Sequence, residues 1–242
     1  MRSQTDMDDR ALPTEADSER THEHYPRWSG IAPLPNARMM LHVGAETVEN
    51  FLVVGDAWGQ LVASLLTPDS RVLDIGCGCG RTARTLLHDT RIVRYIGFDV
   101  VAPYIAWNNR FLAPLTGGRF VFRHLDAITP RYNPTGTQRD VEVTFPVEDA
   151  SMTLAFGASL FTHLREGAAV RYLREARRVL RPDGRLLVSI HDKPADGATH
   201  SGDEFRADFA PAHFIALASD CGFPNSRAIG DICGQETFVF SA

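Results

Sequence analysis

The chain has 242 residues, 44% of them hydrophobic and 23% charged, with a formal net charge of −5 at pH 7. That length fits one large α/β domain with a sizeable core, and the acidic balance weighs against an affinity built on a nucleic-acid backbone. No apolar run approaches the roughly 18–20 residues of a membrane span, the first residues lack the apolar centre of a secretory signal, and four cysteines do not frame a chain this long with disulfides. The expectation is a cytoplasmic protein with reduced thiols, no membrane contact and no nucleic-acid partner.

Residues 1–24 carry no periodicity and few hydrophobes and read as a disordered or loosely docked acidic tail. Residues 25–54 open with Tyr25, Trp28 and three prolines, which forbid a long helix before Pro35. We read this segment as a lid or acceptor-binding piece, with Tyr25 and Trp28 folding over a bound ligand, contacting the acceptor or packing on the first helix. From Gly55 to Leu66, Trp58, Leu61, Val62 and Leu65 share one helical stripe, which Thr67-Pro68 terminates. Next come a strand "RVLDI", a glycine run, a helix "RTARTLLH", a strand "VRYIGFD", a helix "APYIAWNNRFLAPL" and a strand "RFVFRHLD". Residues 129–146 are too polar and broken for a core element and read as a surface insertion. A strand "SMTLAFGAS", an amphipathic helix "EGAAVRYLREARRVL", and a turn and strand "PDGRLLVSIH" follow. Helix is expected over Phe205 to Cys221, starting late or interrupted at Pro211, and "RAIGDI" and "ETFVFSA" close the chain as strands. Strands alternating with helices imply a doubly wound, mostly parallel sheet over residues 55–242.

On this map Gly76-Cys77-Gly78-Cys79-Gly80 is the turn at the carboxyl end of the first strand, where open α/β sheets bind ligands. A dinucleotide fingerprint needs G-x-G-x-x-G, but Arg81 stands where its third glycine belongs. Asp74, two residues ahead of Gly76, repels a pyrophosphate and suits an ammonium group, such as the amino-acid end of S-adenosylmethionine. Asp99 closes the second strand, where an acid accepts ribose hydroxyls, and Asp126 after the third strand is a candidate for the adenine amino group. Each aspartate alone has helix capping as its plain alternative. Cys77-x-Cys79 has only the distant Cys221 and Cys233 to join it, so small apolar side chains account for it better than zinc.

At these motifs the sequence resembles the class I S-adenosylmethionine-dependent methyltransferases. "VLDIGCGCGRTARTL" is similar to that family's first motif and "YIGFDVVAPYIAWNN" to its second. "FPVEDASMTLAFGASLFTHL" resembles the run into and past strand four, and "YLREARRVLRPDGRLLVSI" the helix, turn and fifth strand. They stand in family order across Gly55 to Ala242. The resemblance implies a Rossmann-like seven-stranded sheet with the last strand antiparallel and helices on both faces. It also implies S-adenosylmethionine as cofactor and methyl transfer to an oxygen or nitrogen of a small-molecule acceptor, a specialised metabolite being one option. By position, Asp74, Gly76, Cys77, Gly78 and Gly80 would surround the methionine part and Asp99 with Val100 the ribose. Asp126 with Ala127 would flank adenine, and Ser159 would line the pocket after strand four.

A general base is needed only where the acceptor loses a proton. His163 in "FTHL" and His191 after "LLVSI" are the candidates, against structural roles as a helix support and a solvated loop residue. Phe161 is a candidate acceptor contact, with core packing as its alternative. The family's magnesium-chelating members place an acid where this chain has "FGAS", so no catalytic metal is expected. Acceptor contacts are expected from residues 25–54, 129–146 and 191–204. A cofactor-binding regulator without turnover and an aminopropyl transferase on the same fold remain alternatives, and monomer and homodimer are both open.

Overall fold

The computed structural model describes residues 11–22 and 32–242; Tyr25 and Trp28 lie outside the described residues. Helix α1 (Ala37–His42) begins directly after Pro35, where the Asn36 side chain accepts the Met39 N–H at 3.0 Å and caps the first turn. Helix α2 (Val48–Ser64) starts seven residues before the predicted Gly55 because Thr47 supplies a cap, its hydroxyl accepting the Asn50 N–H at 3.1 Å. Its buried stripe is Phe51, Trp58 and Val62.

The main sheet has seven strands: β1 (Ser70–Ile75), β2 (Ile92–Asp99), β3 (Phe120–His124), β6 (Met152–Gly157), β7 (Leu180–Ile190), β10 (Asn225–Ile232) and β11 (Gln235–Ser241). Their order is β10-β11-β7-β6-β1-β2-β3, parallel from β7 to β3, with β11 antiparallel to both β7 and β10. This is the expected doubly wound arrangement with the last strand reversed. Between the strands lie α3 (Ala83–Leu86), α4 (Ala102–Phe111), α5 (Glu166–Val179) and α6 (Pro211–Asp220). Two short pairs, β4 (Ala127–Ile128) with β5 (Gln138–Arg139) and β8 (His200–Gly202) with β9 (Ala207–Phe209), sit beside the sheet.

Alternation along each strand divides the core in two. Leu73, Ile75, Ile96 and Phe98 join Leu173 of α5 and Phe214 of α6 on one face. Val72, Tyr95, Phe120 and Phe156 join Trp58 of α2 and Tyr104 and Trp107 of α4 on the other. Burial on both faces is why these strands read as apolar runs.

Two expectations change, and the N-terminal tail takes one of its two readings. The "RTARTLLH" helix shrinks to the single turn of α3. The described part of the N-terminal tail is docked: a 3-10 turn over Glu15–Glu19 is closed by Thr14 and Asp17, and the Trp107 indole N–H donates to the Arg20 carbonyl at 3.1 Å. The insertion is half core. Val143 and Phe145 are buried because α5 satisfies their backbone: the Glu175 carboxylate accepts the Phe145 N–H at 2.8 Å, and Arg171 donates to the Val143 carbonyl at 2.6 Å. Two apolar residues two positions apart were enough to anchor an otherwise polar stretch.

Candidate active site

Strands β1, β2 and β6 end together, and the turn after β1 crosses above them. Gly76, Gly78 and Gly80 all have positive φ, at +73°, +52° and +77°, a region that L residues rarely occupy. Space agrees with torsion at Gly80, where a Cβ would collide with the Leu112 side chain and lie 2.6 Å from Asn108 Oδ1. Asn108, fully buried on α4, holds the turn from beneath by donating to the Gly78 carbonyl at 2.8 Å. The turn faces a cavity of about 440 Å³, a volume ordinary for a small-molecule site.

Asp99 at the end of β2 accepts the Gly78 N–H at 2.8 Å and the Val101 N–H at 2.9 Å. Burial raises its pKa, while those backbone donors favour the carboxylate. Val100 lines the cavity beside it. Asp74 is buried below the turn and accepts the Tyr95 phenol O–H. Desolvation raises its pKa to about 7, so a cationic ligand would draw it back to the charged form. Cys77 and Cys79 also line the cavity, but burial pushes the Cys77 thiol far up and that of Cys79 to about 12. They are neutral wall residues. Arg81, next in the chain, lines the cavity too; its guanidinium donates to the Val43 carbonyl at 3.3 Å, and no carboxylate pairs with it among the described residues.

Residues from far-apart segments line the same cavity. Ser159 follows β6 with a strained φ of +60°. Its N–H donates to Ser189 Oγ at 3.1 Å and its hydroxyl accepts from Gln235 Nε2 at 2.9 Å, while Ser189 donates to Gln235 Oε1 at 2.6 Å. This closed triangle ties the ends of β6, β7 and β11 together. His163 and His191 both line the cavity. His163 Nδ1 lies 3.1 Å from the Glu204 carbonyl, so that nitrogen carries the proton and Nε2 keeps its lone pair. Burial, helped by the nearby positive Arg131, lowers the His163 pKa to about 4, which keeps the ring neutral. The His191 pKa is lowered by burial and by Arg206.

Several residues singled out from sequence stand elsewhere. Asp126 does not line the cavity; its carboxylate accepts the Thr137 hydroxyl at 2.5 Å and the Asn133 amide at 3.3 Å, which secures the insertion. Ala127 is buried as the first residue of β4. Phe161 is core, with its ring edge-on to Phe214 at 5.3 Å; its chain neighbours Leu160 and Thr162 reach the cavity instead. Gly80 shapes the turn without lining the cavity. His42, Arg81, Arg131, Tyr132, Cys233 and Gln235 line it without having been singled out. For Arg131 and Tyr132 the one available signal was their place in the insertion, and for Gln235 there was none.

Residues 72–184 match the family model described as a methyltransferase domain. Among solved structures, the 1,6-didemethyltoxoflavin-N1-methyltransferase of Burkholderia thailandensis, with bound 1,6-didemethyltoxoflavin and S-adenosylhomocysteine, superposes with a TM-score of 0.58 at 20% identity, over 83% of this chain and 82% of that one. A TehB-like S-adenosylmethionine-dependent methyltransferase from Corynebacterium glutamicum matches at 0.52 and 17%, over 84% and 92%. The [4+2]-cyclase SpnF matches at 0.55 and 22%, over 73% of this chain, which spans 60% of the cyclase. At such identities these structures share the fold.

Proposed function

Residues 72–184 form a methyltransferase domain of the class I S-adenosylmethionine-dependent family, and from that premise we propose that the chain methylates an oxygen or nitrogen of a small-molecule acceptor. The observation that carries this reading is the glycine turn clamped by Asp99 and Asn108 over the 440 Å³ cavity. The residues present fit the cofactor: a backbone without Cβ atoms faces the cavity at Gly76 and Gly78, and a carboxylate lies on either side. Asp99 would hold the ribose hydroxyls, Asp74 the ammonium and Arg81 the carboxylate. S-adenosylmethionine supplies an activated methyl group on a positively charged sulfur.

The chain's own part is placement and proton removal. Holding the acceptor atom in line supplies most of the rate. His163 lines the cavity and its Nε2 is unprotonated at neutral pH, so it would take the acceptor's proton as the new bond forms. His191, on the loop after β7, borders the same space from the β7 side. The Ser159–Ser189–Gln235 triangle fixes the wall between them.

The test is isothermal titration with S-adenosylhomocysteine, then an acceptor screen read as S-adenosylhomocysteine release from S-adenosylmethionine. Binding with product formation supports the proposal, and failure to bind the nucleoside would end it. One structure with this fold is a [4+2]-cyclase, which favours a second reading: a protein that keeps the pocket without transferring methyl. Tight nucleoside binding with no product from any acceptor would select that one.

A further inference from the structure

We infer that the acceptor is a small organic acid, its carboxylate held by Arg131 and its reacting hydroxyl or amine beside His163. The inference rests on the methyltransferase reading above and adds the chemical class of the acceptor.

Arg131 and His163 are anchored as a pair. Arg131 Nη1 donates to the Phe205 carbonyl at 2.9 Å, and His163 Nδ1 to the neighbouring Glu204 carbonyl at 3.1 Å. Consecutive carbonyls of one loop therefore set both side chains against the cavity that both line. Ring contacts fix them further. The Arg131 guanidinium lies 5.0 Å from the Tyr132 ring centroid and 5.3 Å from that of Phe205, and Tyr132 meets His163 edge-on at 5.4 Å. A planar cation gripped between two aromatic faces is oriented before any ligand arrives.

Charge accounting leaves that cation uncompensated. The acids flanking the two anchoring carbonyls are engaged elsewhere: Glu204 with Arg165 at 3.0 Å, Asp208 with Arg206 at 2.8 Å, and Asp203 by the Phe205 N–H at 2.8 Å. Asp126 is held by Thr137 and Asn133. Among the described residues no carboxylate pairs with Arg131, whose single hydrogen bond leaves most of its five N–H donors free. A partly buried guanidinium in that state favours a bidentate anionic ligand. The cofactor brings one carboxylate, and Arg81 beside the glycine turn is placed for it. Arg131, on the insertion and next to the base, is left for the acceptor.

The test uses the full chain saturated with S-adenosylhomocysteine and matched probe pairs: hydroxybenzoates and aminobenzoates against the corresponding carboxamides. Thermal shift and titration are read for wild type, Arg131→Gln and Arg131→Lys. The expected result is at least tenfold tighter binding of acids than of amides in wild type, loss of that preference in Arg131→Gln, and partial retention in Arg131→Lys. Equal binding of acids and amides, no binding of any acid, or an acid preference surviving Arg131→Gln would overturn the inference. So would a loss of S-adenosylhomocysteine affinity in a folded Arg131→Gln, which would assign Arg131 to the cofactor. S-adenosylhomocysteine binding to wild type, measured first, separates the two claims: without it the methyltransferase reading fails, and with it only the acceptor class is at stake.

Discussion

The two sides of the cavity are built on different principles. The side proposed for the cofactor is one turn of five residues, Gly76 to Gly80, made mostly of backbone and braced by Asp99 and Asn108. The acceptor side is assembled from side chains of the insertion, the segment after β6, the loop after β7 and the β10–β11 hairpin tip. The turn tolerates little change at its glycines because all three have positive φ and a Cβ at Gly80 would collide with Leu112, whereas a wall of side chains can be altered one group at a time. Variants on the cofactor side should therefore move nucleoside affinity, and variants on the acceptor side should move turnover.

The largest expected effect is Gly80→Val. A branched side chain there meets Leu112 and Asn108 at a φ of +77°, so titration should detect no S-adenosylhomocysteine binding. Retained affinity would mean the turn yields more easily than its contacts allow. His163→Ala should lower turnover by about 10²–10⁴-fold, the usual contribution of a general base, with nucleoside Kd unchanged. A wild-type rate would remove the base assignment, and a changed Kd would blur the division between the two sides.

Asp99→Ala should weaken nucleoside binding by about 1–3 kcal/mol, the range for hydrogen bonds to a charged group. It should also cost some stability, since the same carboxylate holds two backbone N–H groups. A smaller effect is set by pH. Because burial raises the Asp74 pKa to about 7, pairing with an ammonium favours its ionised form. Affinity for S-adenosylhomocysteine should then be constant above that pH and fall below it, by at most tenfold per unit for one proton. Asp74→Asn should flatten the profile; a slope that persists in the variant would belong to another group. In the ligand-free protein the same raised pKa contributes stability that is complete below the unfolded value near 4 and lost as pH rises through about 7. Gln235→Leu should have the mildest consequence, a fewfold loss of turnover as the Ser159–Ser189 contact loosens.

The cofactor side was legible in the sequence because its determinants are local. Glycines at alternate positions behind an apolar strand specify a turn that only a wound sheet uses, and an acid closing the next strand specifies what it faces. Asp126 shows what position leaves out. It sits at the third strand end as expected, yet Thr137 and Asn133, 11 and 7 residues on, take its carboxylate. Phe161 shows it in a second way: beside two cavity residues, it turns inward because Phe214 on α6 completes its packing.

By itself the sequence determined the strand and helix alternation and the glycine turn, since each follows from periodicity or from a backbone geometry that few residues permit, while the reversed last strand was implied by the family resemblance. Tertiary structure alone decided which side chains meet across the cavity. Gln235 reaches Ser159 over 76 residues and Arg131 reaches Phe205 over 74; the first contact forms only when β6, β7 and β11 lie side by side and the second only when the insertion meets the loop after β7, and no local pattern encodes either.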